Sequence, residues 1–331
     1  MSHTTNFVII FEAMKYLLIL ALFPALSFSQ TIIVDEAKQL IEDKQFVKAE
    51  RVLYEYVKDN ENDKEGIELL GDAYSNQKKW DDAATYYEKL KELEPKNANF
   101  HYKYGGALGM KALSVSKLRA VGIIGDVKEA FLKAAELDPS HIDTRWALVE
   151  LYMQLPGIIG GSKSKSLKYA NELEALSKVD GYLAKGYIYE YDDEPELAEE
   201  FYKKAIKVGG SLTCYDKLTK LYEKEEQPEK AIANIEASGK VHQRNAMHYQ
   251  IGKVCAEYNI ELEKGEKCLL MYIENHSARD GVPKAWAYYR LAQIQKNKKQ
   301  KSEALKWIDK AITNLPDIKA FKKERQKIQA L

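Results

Sequence analysis

The feature that most constrains this chain is a pattern that returns at intervals of about 34 residues. It is clearest over residues 67–95. Leu70, Gly71 and Tyr74 are spaced for one helix, Ala83 and Tyr87 for a second, and Pro95 closes the unit, with Trp80 marking the turn between them. Each residue type has a physical reason. Gly71 and Ala83 are small where two helices cross and approach closely. Tyr74 and Tyr87 fill the space between one helix pair and the next, and Pro95 stops the second helix. Gly105 stands one repeat length after Gly71 and opens another copy. So short a unit cannot bury its own apolar face, so it must stack on the copies before and after it.

Further copies follow the same spacing. Ala49 and Leu53 mark an earlier one that begins near Gln30. The third closes with Phe131, Ala134 and Pro139 and so carries about ten extra residues between its helices. The fourth has Leu148 and Tyr152, then the loop PGIIGG, then a second helix from near Ser162. Gly186, Tyr189, Ala198 and Tyr202 belong to the fifth, and Leu218, Tyr222 and Ala231 to the sixth. The seventh has Ile251, Gly252 and Gly265, and the eighth Leu291, Ala304, Ala311 and Pro316. Residues 317–331 form one more helix, polar on its outer side, as the end of a stack requires. Only 18 Gly and 8 Pro interrupt the 331 residues, and no stretch alternates with period two, so no sheet is expected.

By these residues the chain resembles the tetratricopeptide repeat superfamily over nearly all of its length beyond the N-terminus. The resemblance implies an all-α fold of about seventeen helices: a right-handed superhelical solenoid of about eight helix hairpins over 30–316, closed by a capping helix over 317–331. The stretches HYKYGGALGMKAL, AFLKAAELDP and ALVELYMQLPGIIGGSKSKS, within residues 100–175, are similar to a group of exported bacterial repeat proteins. Leu155 stands where that group has Ala before the proline, and Ser166 where it has Ala after the lysine. This second resemblance implies a fold and an exported location, and no activity.

The N-terminus reads as an address. Lys15 is followed by an apolar run, Tyr16 to Phe28, and by the small residues Ser27 and Ser29. That is a signal peptide over 1–29, with translation starting at Met14 and Gln30 as the first mature residue. The expectation is a periplasmic or secreted protein with no stable membrane span after cleavage. No Cys near the cut suggests a lipid anchor. The three cysteines are too few for a disulfide framework. Cys255 and Cys268 can meet across one hairpin, as a disulfide or as two buried thiols.

Charge and motifs argue against chemistry. Lys plus Arg and Asp plus Glu are 50 each, which is not the basic excess of a nucleic-acid binder. Gly157 to Ser164 is a near miss for a phosphate loop, with Ser162 in place of the second Gly. Here it joins two helices, where its glycines permit a turn and Ser162 can cap the next helix. His101 and His248 fall where the first helix of the repeat carries Trp, and no histidine pair has metal-ligand spacing. We therefore expect no enzyme, no cofactor and no metal.

What remains is a binding surface. In the repeat family the first helices line the concave side. Register then places Tyr102, Trp146, Tyr187, Tyr191, Tyr249, Trp286 and Tyr289 on or near that side. Glu150, Asp72, Asn76, Gln154, Lys220 and Lys253 are their polar neighbours. Aromatic side chains with polar edges suit a groove for a protein or peptide partner, since they offer large contact area at low entropy cost. The leading expectation is an interaction scaffold. The alternatives are a fixed accessory subunit of a cell-envelope assembly or transport complex, and an enzyme with its site on the insertions at 110–126 and 156–165.

Overall fold

A computed structural model of the chain describes residues 32–331; the expected signal peptide and its cleavage site lie outside the described residues. Seventeen α-helices account for the fold, and no strand occurs among the described residues. Two compact units divide the chain between Tyr169 and Ala170.

The first unit holds three complete hairpins and most of a fourth. They are α1 (32–42) with α2 (Phe46–Asp59), α3 (Lys64–Asn76) with α4 (Trp80–Leu93), and α5 (Ala98–Ser114) with α6 (Lys117–Leu137). Next comes α7 (Ile142–Gln154), followed by the beginning of α8 (Lys163–Leu176). The second unit begins within α8 and continues with α9 (Lys178–Tyr191), α10 (Pro195–Gly209), α11 (Leu212–Lys224) and α12 (Pro228–His242). It ends with α13 (Ala246–Tyr258), α14 (Leu262–Glu274), α15 (Lys284–Asn297), α16 (Lys301–Asn314) and α17 (Lys319–Gln329). The expected eight hairpins and closing helix are all present.

One contact repeats inside the hairpins. A methyl group placed on Gly71 would stand 2.5 Å from Cε1 of Tyr87, closer than carbon atoms approach. The glycine is the seat of that ring, which is 3 % exposed and donates its hydroxyl to Asp72 at 2.7 Å. Gly186 seats Tyr202 in the same way, and the Tyr202 hydroxyl donates to Glu190 at 2.6 Å. Gly105 seats Phe131, and Gly252 seats Leu269. Ala83, Ala198 and Ala304 are fully buried at the second-helix position where the two helices meet.

A second repeated feature is the turn. Five hairpins join their helices through three residues whose middle member is left-handed: Lys44, Lys78, Asp193, Glu226 and Lys299, with φ between 53° and 63°. The third residue of each turn donates its backbone N–H to the carbonyl five positions back, at 2.7–3.0 Å. This is the helix-ending motif that glycine normally serves, here built without glycine. Trp80, expected in the turn, is the first residue of α4.

The third hairpin departs from expectation. Its surplus is no loop between helices: α5 has 17 residues and α6 has 21, and only Val115 and Ser116 separate them. Gly122 and Gly125 have nothing within reach of an added methyl, so they sit in helix at only the propensity cost of about 1 kcal/mol each. The fourth hairpin does carry a loop. Residues Gly157–Ile159 form one 3-10 turn, and Gly160 has φ 103°. A side chain on Gly161 would overlap the Leu155 carbonyl.

At the other end α17 covers the last hairpin. Phe321 and Ile328 are fully buried, and the Phe321 ring lies 5.0 Å from Trp286 and 5.1 Å from Tyr289. Glu324, 3 % exposed, is paired with Lys296. All three cysteines are buried free thiols, and burial pushes Cys255 up to about 12, which keeps it protonated and inert.

Candidate functional site

Within each unit, ion pairs join several of the successive first helices as rungs of a ladder. In the first unit Lys38 of α1 meets Glu65 of α3 at 2.6 Å. Lys103 of α5 meets Glu68 at 2.6 Å and Asp72 at 2.7 Å, both on α3. In the second unit Lys253 of α13 reaches Glu223 of α11 at 3.1 Å, and Arg290 of α15 reaches Glu257 of α13 at 2.6 Å. Lys253 also lies 3.8 Å from Glu257, so these four residues form one run across three helices. Lys224 of α11 extends it by donating to the Glu190 carbonyl of α9 at 3.1 Å. Asp72 and Lys253, named from the sequence as polar neighbours of the aromatic residues, are rungs of this ladder.

Sequence reasoning missed the ladder, although its signal is there. Opposite charges about one repeat length apart recur as Glu223 and Lys253, Asp72 and Lys103, Glu257 and Arg290, and Glu68 and Lys103. In a chain that is 30 % charged, that spacing stands out only once the repeat length is imposed.

The aromatic residues divide between surface and interior. In the first unit Tyr102 is half-buried on α5, 6.1 Å from Phe131 and 5.2 Å from His141. Burial, and then the charges of Asp143 and Glu150, raise its phenol above the ordinary value. Trp146 is half-buried and Glu150 exposed on α7, one helical turn apart. In the second unit Tyr187 is half-buried beside Tyr191, 6.0 Å between rings, and Tyr191 is exposed. The other three named aromatic residues pack against neighbouring elements. Tyr249 is 9 % exposed in a core cluster with Leu269, Tyr272 and Leu291. Trp286 and Tyr289 are half-buried under α17 through Phe321. Asn76 and Lys220 stay local: Asn76 donates to the Asp72 carbonyl at 2.9 Å, and Lys220 pairs with Asp216 at 2.7 Å.

Ser162 caps α8, accepting from the Lys165 N–H at 3.3 Å, and its own N–H donates to the Tyr152 carbonyl at 2.8 Å. A groove of about 1170 Å³ between α4, α5 and α6 has Tyr104 in its wall. There the Tyr104 hydroxyl donates to Glu88 at 3.2 Å while Lys91 lies 4.2 Å over the ring. His101 bonds through Nε2 to the Pro95 carbonyl at 2.9 Å, which is a packing role.

Comparison with known proteins finds the same repeat. Family models of the tetratricopeptide repeat match residues 65–97, 179–208 and 287–316. The chain is similar to the tetratricopeptide repeat protein 30 homolog of Drosophila pseudoobscura pseudoobscura, 28 % identical over 154 residues, which is 45 % of this chain and 20 % of that protein. The homolog of Drosophila melanogaster is 32 % identical over 68 residues, 20 % of this chain and 10 % of that one. The chain thus spans a fifth or less of the length of these curated relatives. Among solved structures, a tetratricopeptide repeat protein from Parabacteroides merdae ATCC 43184 superposes over 91 % of this chain and 99 % of its own, with TM-score 0.49 and 13 % identity. MamA superposes over 54 % of this chain and 90 % of its own, with TM-score 0.42 and 20 % identity.

Proposed function

We propose that this chain, a carrier of tetratricopeptide repeats, is a non-enzymatic scaffold that binds a protein or peptide partner along its first helices. The observation that carries the proposal is the composition of that face. The first helices carry ion-paired charges together with aromatic rings that are not fully covered: Tyr102 and Trp146 in one unit, Tyr187 and Tyr191 in the other. Rings held by packing lose little entropy on binding and give the large contact areas that dominate interfaces. Rungs of the ladder tie α5, which carries Tyr102, to α3, and α9, which carries Tyr187 and Tyr191, to α11.

Trp146→Ala and Tyr187→Ala test this. Each is expected to weaken partner binding by about 2 kcal/mol, the value for an anchor residue, with little change in melting temperature. Calorimetric titration with the captured partner and thermal melts on the same variants separate the roles. Lost stability with intact affinity would reject the binding role.

The same reading puts the protein outside the cytoplasm, cleaved after Ser29. N-terminal sequencing of the mature chain is expected to begin at Gln30; finding residues 16–28 still attached would reject export by cleavage.

A further inference from the structure

The long third hairpin ends in an uncovered tip. Gly105 and Phe131 stand about ten positions further apart in the chain than Gly71 and Tyr87, or than Gly186 and Tyr202, and are still in contact. The surplus therefore sits at the turn end. Shared between two antiparallel helices, it lengthens the hairpin by about 7 Å at the rise of an α-helix. The tip is apolar and exposed: Leu118 is 86 % exposed, Leu113 71 %, Val121 53 % and Met110 43 %. The loop of the next hairpin adds Ile158, 96 % exposed. That loop lies against α6, since a methyl on Gly160 would stand 3.7 Å from Nζ of Lys128.

The tip itself is basic. Residues 109–125, the tip and the helical turns beside it, contain no Asp or Glu and carry Lys111, Lys117 and Arg119, of which Lys111 is paired with Asp81 of α4. Lys117 and Arg119 are exposed on either side of Leu118.

We infer that this edge of the first unit docks on an anionic lipid bilayer, with Leu113, Leu118, Val121 and Ile158 entering the interface and Lys117 and Arg119 reaching the headgroups. A protruding tip of about 7 Å matches the depth, about 5–10 Å, at which peripheral apolar faces sit. Each basic residue near such a surface contributes on the order of 1 kcal/mol. Like charge disfavours a second copy of the same edge as the occupant. No helix among the described residues is long and apolar enough to cross a membrane, so this contact is peripheral.

The test places a nitrobenzoxadiazole probe on the Ser116→Cys variant of the full chain. Ser116 is exposed between the two helices, and the three native thiols are buried. The probe reads the tip alone, whatever other segment touches lipid. Vesicles of phosphatidylcholine mixed with phosphatidylglycerol are expected to shift its emission to the blue, and pure phosphatidylcholine vesicles are not. Lys117→Glu with Arg119→Glu is expected to weaken the response tenfold or more, a loss of roughly 1.4 kcal/mol or more. Leu118→Ser with Ile158→Ser is expected to abolish the shift, and Leu270→Ser on α14 to leave it unchanged. Circular dichroism confirms that each variant folds. A silent probe on anionic vesicles, an equal shift on neutral ones, or a shift indifferent to the tip variants would overturn the inference. So would an equal response to soluble polyglutamate without vesicles, which would assign the edge to an acidic polypeptide.

Discussion

A glycine on one helix and the aromatic ring it seats on the next are the smallest unit of this fold. Gly71 with Tyr87 and Gly186 with Tyr202 fix how two helices of a hairpin approach, because the ring occupies the space a side chain would need. The ring cannot yield cheaply, being buried and tied through its hydroxyl to Asp72 or Glu190. Gly71→Leu and Ala83→Leu are each expected to destabilise the protein by about 1–3 kcal/mol through overpacking, measured by urea unfolding. These positions were legible in the sequence because small residues have few other reasons to recur at a fixed interval. The aromatic face was legible only in part. Tyr249 stands at an inward-facing position by register, yet it lies 5.3 Å from the Tyr272 ring and is buried there. Register gives the direction of a side chain but not how much its neighbours cover it.

Elements differ in how they turn. Five hairpin turns force a non-glycine residue into the left-handed region, at a cost of about 1–2 kcal/mol each. Lys78→Gly removes that cost and returns part of it as unfolded-chain entropy, so a net gain of roughly 0.5–1 kcal/mol is expected. Chemical denaturation of the variant checks it, and a loss of stability would show that the Lys78 side chain has a role beyond the turn. The third hairpin shows why the sequence misled. Gly122 and Gly125 both lie on open helix surface, where the pairing of α5 with α6 outweighs their poor propensity. A surplus of this size can lengthen two helices as readily as it can form a loop, and periodicity does not distinguish the two.

Across the whole molecule the 22 tyrosines give stability a pH edge. Burial pushes Tyr74, Tyr104 and Tyr272 up to about 12, with nearby carboxylates or phenols adding to it. Tyr87 and Tyr202 are raised further, again first by burial. In the unfolded chain phenols ionise near 10. Above that pH unfolding releases protons, so raising the pH favours the unfolded state; the stabilisation is complete below pH about 10 and lost as pH approaches about 12. Melting temperature is expected to fall across that window, and the ultraviolet absorbance of phenolate to show one class of phenols ionising only as helicity is lost. If all the tyrosines titrated near 10 with the helices intact, the burial of these rings would be refuted.

The strongest helix pairings join elements one or two places apart in the chain. A segment therefore never waits for a distant one to arrive. Each hairpin can close as soon as both of its helices have emerged, whether from a ribosome or from a translocation pore, and hand a finished surface to the hairpin behind it. Length then adds little delay to folding, and chain delivery sets the order in which the stack assembles.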